Sequence, residues 1–218
     1  MFTIGGCPRH QDGVVIITDR LRGTWARTAV VTVVSFLCGV VTFFAQGFLP
    51  EAVASFANSA SGWTMVTALL LAWARVRTAL AALLGAASFV LLTLGYSVAV
   101  ELRDLSYDPT LFVVVGVVVG PFVGIATSWL RAASSWRTAT STALLAGIGV
   151  GEAIYGLTAV ADTTSPVYWA LVGSVGLALL LVMLMRRIHG VQWALLTVVG
   201  TSLVAGAFVV AYGTLGGL

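Results

Sequence analysis

Seven long apolar segments follow one another along this sequence, each separated from the next by a short polar connector. An α-helix needs about 20 apolar residues to cross the hydrocarbon core of a bilayer. The segments that approach or meet this length cover roughly residues 28–49, 56–74, 78–100, 110–130, 138–160, 167–185 and 191–213. Breakers such as Pro50, Asp108-Pro109 and Ser165-Pro166 lie between them. The pattern predicts an all-α, polytopic membrane helix bundle of about seven transmembrane helices.

The low charge of the chain supports a membrane location. Only 9% of the 218 residues are charged, and the mean hydropathy is +1.04, whereas about 25% of the residues of a typical soluble domain are charged. We therefore expect residues 1–27 to be a polar cytoplasmic tail and residues 28–218 to form a single transmembrane helical domain. The segments leave no room for a separate soluble domain.

The arginines predict an orientation. All 11 basic residues are arginine, and ten of them lie in the N-terminal tail or in the connectors after the second, fourth and sixth segments. These ten are Arg9, Arg20, Arg22, Arg27, Arg75, Arg77, Arg131, Arg137, Arg186 and Arg187. The alternate connectors carry the acids Glu51, Glu101, Asp104, Asp108 and Asp162. The positive-inside rule then places the N-terminus in the cytoplasm and the C-terminus outside.

Several classes of function find no support in the residues present. The absence of lysine excludes a Schiff-base or Walker lysine, and the arginines beside apolar segments do not indicate a nucleic-acid partner. Cys7 and Cys38 lie in a tail and in mid-membrane, so they are not expected to form a disulfide. No metal-ligand spacing or catalytic constellation is present. We expect no enzyme activity, no cofactor and no metal.

Glu152 is the only acid placed well inside an apolar segment, within the run 147–157. A carboxyl in the bilayer centre costs roughly 2.5–3.5 kcal/mol on insertion scales, so Glu152 should face other helices or a water-filled cavity. Helical spacing places Gly149, Tyr155 and Gly156 on the same face. An intramembrane acid favours a functional site, while the structural interpretation is a glutamate that bridges helices.

Other polar and aromatic residues fall in the same predicted outer half of the membrane. Together they suggest an outward-facing cavity that binds or transports a small solute. The ligand-binding candidates are Glu152, Tyr155, Asn58, Trp63, Gln46 and Tyr96. Tyr168 and Trp169, by contrast, are typical of aromatic anchors at the membrane surface.

Residues 51–62 are too polar for a lipid-facing helix and too apolar for a free loop. They fit an amphipathic surface helix or a segment that dips into the membrane and covers the cavity. A third interpretation is the outer end of a packed helix.

The fourth segment carries a ridge of small residues, Gly116, Gly120 and Gly124, with Pro121 beside it. Glycines at four-residue spacing allow close helix contact, and the proline is expected to kink the helix. Packing inside the bundle is the favoured interpretation. The alternative function is a structural or assembly partner of another membrane protein, packing through this ridge.

Residues 30–213 resemble an uncharacterised bacterial family of small multi-pass membrane proteins with a domain of unknown function. The resemblance is carried by Phe44-Ala45-Gln46-Gly47, Ala57-Asn58-Ser59-Ala60, Gly62-Trp63, Gly120-Pro121, the run from Gly151 to Leu157 and the run from Asp162 to Pro166. It implies a multi-pass protein of a bacterial inner (plasma) membrane and no particular activity. A looser likeness is to substrate-binding subunits of energy-coupling-factor transporters, with Ser35 and Gly39 at the spacing by which those subunits dock their partners.

Overall fold

The computed structural model describes the backbone of residues 10–215 and the side chains of residues 23–57 and 59–214. The described residues form helices and no strand. The elements are α1 (His10–Phe48), a 3-10 helix (Glu51–Asn58), α2 (Ala60–Ala74), α3 (Thr78–Glu101), α4 (Thr110–Trp129), α5 (Ser135–Ala159), α6 (Pro166–Arg186) and α7 (Val191–Leu215). Among these residues, six α-helices, α1 and α3 to α7, are long and apolar enough to cross a membrane. The predicted all-α, polytopic membrane fold is confirmed.

The second predicted segment differs from expectation at its start. The sequence predicts a helix from residue 56, but residues 56–58 belong to the 3-10 helix and α2 begins at Ala60. The reason is Ser59, whose backbone is extended and whose hydroxyl accepts the N–H of Gly62, the arrangement of a helix N-cap. With 15 residues, α2 is only about 22 Å long, less than the hydrocarbon thickness.

The first helix is longer than the first apolar segment. α1 is continuous from His10, and the residues Gly23–Phe48, whose side chains are described, are long and apolar enough to cross a membrane. The expected cytoplasmic tail therefore continues directly into the helix, and residues 1–9 of that tail lie outside the described part of the chain. The predicted orientation of the termini stays a prediction.

The helices form two groups. In one, α3 packs between α1 and α4; in the other, α5 packs against α6 and α7. α4 and the short α2 connect the groups by contacting α5, and the 3-10 helix packs against α1 and α6. We call the end of the bundle with Glu101, Asp104, Asp108 and Asp162 the acidic side. The end with Arg75, Arg77, Arg131, Arg137, Arg186 and Arg187 is the arginine-rich side.

Small residues allow the helices of the first group to approach closely. A Cβ atom on Gly116, Gly120 or Gly124 would collide with α3, so the ridge of α4 faces α3. α4 continues through Pro121. Gly39 of α1 lies against the backbone of α3 at Leu92 in the same way. The ridge is therefore covered within the chain.

Candidate functional site

Glu152 lies at the junction of the two helix groups, and only 3% of its surface is exposed. Its Oε1 accepts the backbone N–H of Ala60 at 2.8 Å, and its Oε2 accepts the backbone N–H of Ser61 at 2.7 Å. The hydroxyl of Ser59 donates to Oε2 at 3.0 Å. These three bonds are directed toward the carboxyl oxygens, which is how a carboxylate is bound.

Ser59 connects this carboxylate to a third helix. Its oxygen accepts the N–H of Gly62 at 3.0 Å and the phenol O–H of Tyr168, on α6, at 2.5 Å. Tyr168 is 4% exposed. α2, α5 and α6 are therefore held together at one point by a hydrogen-bonded group that we call the Glu152 junction: Ser59, Ala60, Ser61, Glu152 and Tyr168.

The opposite end of α2 is bound by arginines. Arg27 donates to the carbonyl oxygen of Ala74 at 3.3 Å, and Arg131 donates to that of Ala72. The first N–H groups and the last C=O groups of a helix have no partner inside it and carry the positive and negative ends of its dipole. The short helix is thus complemented at both ends, by a carboxylate at its N-terminus and by guanidinium groups at its C-terminus.

A groove of about 550 Å³ runs beside α2, facing α6. Its lining extends along α2 from Ser61 to Ala72, about 17 Å at 1.5 Å per residue. Val53 and Phe56 of the 3-10 helix lie at the end near the acidic side, and α4 and α5 supply the floor. The walls also include exposed side chains such as Leu69 and Val175, so the groove is open laterally.

The groove and the Glu152 junction share residues. Ser61 and Tyr168 line the groove and belong to the junction. Glu152 itself is not among the lining residues and stands behind that wall. The volume lies within the usual range of ligand pockets, about 300–1,000 Å³.

The other ligand-binding candidates lie on five different elements, α1, the 3-10 helix, α2, α3 and α5. Tyr155 contacts Tyr212 of α7, with ring centroids 5.6 Å apart. Trp63 contacts Tyr96 of α3 at 6.4 Å and packs against an apolar cluster around Phe89. Gln46 is half-buried near the end of α1, and Asn58 is the last residue of the 3-10 helix, with its side chain outside the described part.

Tyr96 belongs to an aromatic cluster on the acidic side. Its ring lies 5.1 Å from that of Tyr107, in the α3–α4 connector, and 5.8 Å from that of Phe43. Burial and the nearby Tyr96 and Asp108 raise the pKa of Tyr107 to about 12. The cluster packs α1, α3 and the connector together and lies apart from the groove lining.

Four residues of the junction were not expected from the sequence as site residues: Ser59, Ala60, Ser61 and Tyr168. A serine directly before the first residue of a helix, as Ser59 is before Ala60, is a recognisable N-cap signal. Tyr168 and Trp169, expected as anchors at the membrane surface, are buried within the protein, and Trp169 donates to Thr164 at 2.8 Å. Gly156 makes room for this indole, because a Cβ there would collide with the Trp169 ring.

Metal binding is not indicated by the described residues, which contain no group of three or more histidine, cysteine or acidic side chains that could hold an ion.

This architecture defines a class of protein, an integral, multi-pass membrane helix bundle in which the short helix α2 begins at the Glu152 junction. Over residues 18–217 the chain matches the model of a family of unknown function (DUF6518), and it belongs to that family. No curated protein and no solved structure matches it. The looser likeness to energy-coupling-factor subunits finds no support, since Gly39 is packed on α3 and Ser35 is bonded to Ser88 at 2.5 Å.

Proposed function

We propose that this membrane protein binds a small, predominantly apolar solute in the groove between α2 and α6 and carries it across part of the bilayer. The observation that supports this proposal is the 550 Å³ groove beside the break between the 3-10 helix and α2. The position of the groove inside the membrane-crossing bundle gives an apolar solute direct access from the surrounding lipid.

The lining favours an apolar ligand with a single polar end. Leucine, valine, alanine and methionine side chains make up most of the wall, including Met65, Ala68 and Leu171. Thr64 and Thr127 also line the groove; Thr64 is buried, and the hydroxyl of Thr127 already donates to the carbonyl of Val123 at 2.8 Å. Ser61 and Tyr168 line the groove toward the acidic side; the hydroxyl of Tyr168 donates to Ser59, and the hydroxyl oxygen of Ser61 is buried without a hydrogen-bond partner among the described residues. An elongated solute would thus place its polar end there and its apolar body along α2.

The break at Ser59 between the 3-10 helix and α2 provides a place for movement. Transporters commonly place discontinuous helices beside their substrate sites, because irregular backbone inside a membrane is tolerated where protein or a cavity satisfies it. Here the ring of Phe56 lies 6.4 Å from that of Tyr168 and lines the groove near the acidic side. Rotation of the 3-10 helix about Ser59 would remove Phe56 from this position and open the groove.

Within this proposal Glu152 positions other groups and does not contact the solute. It holds the N-terminus of α2 and, through Ser59, the hydroxyl of Tyr168, which sets the polar end of the groove. The solute lies beside the carboxylate rather than on it. Tyr155, Trp63, Gln46, Tyr96 and Asn58 would surround this core without lining the groove itself.

The test compares two matched substitutions. Ala68→Phe places a ring in the groove, whereas Ala178→Phe adds the same ring at an exposed position of α6 that does not line it. The proteins are purified from membranes in mild detergent, and co-purifying small molecules are quantified by mass spectrometry against bulk lipid. We expect an enriched apolar compound with the wild type and Ala178→Phe, and its loss with Ala68→Phe. No enrichment with the wild type, or equal enrichment with Ala68→Phe, overturns the proposal.

A further inference from the structure

We propose that the arginine-rich side carries a binding site for an anionic phospholipid, with the phosphate at Arg137 and an acyl chain in a second groove between α4 and α7. The lining of this second groove shares no residue with the groove between α2 and α6, so the inference does not depend on the proposed function.

The second groove has a volume of about 390 Å³. Its principal walls are Phe122, Ile125 and Trp129 of α4, Leu144 of α5, and Leu196 and Val204 of α7. Phe122 is 58% exposed and Leu196 is 40% exposed, so these walls face the hydrocarbon that surrounds the bundle. Such a surface suits an acyl chain, which makes the same dispersion contacts with the protein as with other lipids.

Arg137 lies at one end of this groove. Its guanidinium is 5.6 Å from the centroid of Trp129, which lines the groove, and 5.4 Å from that of Trp136. Thr140 and Ser141 also line the groove, and they follow Arg137 by three and four residues on α5. Residues at these spacings share a helix face. The cation therefore sits on the groove's side of α5.

No described carboxylate competes for this arginine. The acidic residues whose side chains are described lie at the opposite ends of the helices or, for Glu152, 15 residues further along α5, about 22 Å away at 1.5 Å per residue. The first turn of α5 adds free N–H groups, since Ser134 caps it without a side-chain bond. Both features favour an anion at this position.

A lipid accounts for an arginine at the end of an apolar groove better than a soluble anion does. A charged site that continues into an apolar groove matches a molecule with a phosphate and a hydrocarbon chain. Tryptophan pairs are typical of the membrane–water interface, and basic sites between helices on the cytoplasmic side bind anionic headgroups. The predicted orientation places Arg137 on that side.

The experiment uses the full-length protein in vesicles of phosphatidylcholine containing phosphatidylglycerol that carries a photoreactive diazirine in its acyl chain. Cross-linked peptides are mapped by mass spectrometry. We expect cross-links on the α4 and α7 walls of the second groove. Arg137→Gln should reduce them about fivefold, the change expected for one basic residue near an anionic surface. Arg186→Gln, an exposed arginine on a helix that does not line this groove, should leave them unchanged.

A second pair of variants tests whether the acyl chain binds in the second groove. Leu196→Trp fills the groove and should abolish the cross-links, while Leu203→Trp, 68% exposed on α7 and outside the lining, should not. Equal labelling by a phosphatidylcholine probe overturns the proposal. It is also overturned if Arg186→Gln acts like Arg137→Gln, which indicates diffuse surface charge, or if soluble glycerol phosphate abolishes labelling, which indicates a site for phosphate alone.

Discussion

The carboxylate of Glu152 accepts the backbone N–H of Ser61 at 2.7 Å, joining two residues that lie 91 positions apart in the sequence. Backbone groups at membrane depth must find partners within the protein, because lipid offers none. Glu152 supplies a partner for two of the first N–H groups of α2. A helix can therefore begin inside the bundle at Ala60 instead of at the membrane surface.

Replacement of Glu152 by glutamine should destabilise the bundle. The amide keeps one accepting oxygen but turns an N–H₂ donor toward backbone donors, so at least one N–H of α2 loses its partner. Hydrogen bonds to charged groups contribute about 1.5–3 kcal/mol each, and we expect a loss of about 2 kcal/mol in the free energy of unfolding, measured by denaturation in mixed micelles.

The matched control for this substitution is Glu101→Gln, because Glu101 is exposed at the end of α3. It should change the free energy of unfolding by less than about 0.5 kcal/mol, as is usual for surface positions. Equal losses in the two variants would mean that the Glu152 junction does not stabilise the fold.

The arginines at the other end of α2 lead to a second prediction. Arg131→Gln and Arg27→Gln should each lower the free energy of unfolding by about 0.5–1 kcal/mol, since each removes a cation bonded to the last carbonyls of α2. Arg77→Gln is the control, an exposed arginine whose side chain makes no cap bond to α3. If Arg77→Gln lowers the free energy of unfolding as much as the other two substitutions, the effect comes from general surface charge.

Local sequence patterns predict much of the fold. They predict less of the candidate site. The apolar segments predict the long helices because the length needed to cross a bilayer is a property of each segment alone. The start of α2 depends on Glu152, 92 residues beyond Ala60, and local patterns do not specify such a pair. Tyr168 has the composition of a surface anchor, and its burial arises only when Ser59 meets it from another helix. The sequence predicts cavity residues from their depth in the membrane. The residues that line the groove are those on the helix faces that meet there, and these faces depend on how the helices pack.

The contact between α3 and α4 should tolerate no added methyl group. A Cβ on Gly124 would collide with the carbonyl of Ala81, and backbone of both helices would have to move. We expect Gly124→Ala to lower the free energy of unfolding by about 2 kcal/mol. Gly206→Ala is the control, because a Cβ there meets nothing within 4 Å. It should be neutral or raise stability by up to about 1 kcal/mol, from the better helix propensity of alanine. The reverse ranking would mean that α3 and α4 are not in close contact.

Tyr107 should ionise at unusually high pH. Burial, with the nearby Tyr96 and Asp108, raises its pKa to about 12, above the ordinary value of about 10. Because the folded protein favours the neutral phenol, this contribution to stability is fully present below about pH 10 and is lost as the pH rises toward 12. The measurement is the ultraviolet absorbance of tyrosinate in detergent-solubilised protein, taken as the difference between wild type and Tyr107→Phe. The difference should rise near pH 12. A rise near pH 10 would show that Tyr107 is exposed and that the connector does not pack on α3.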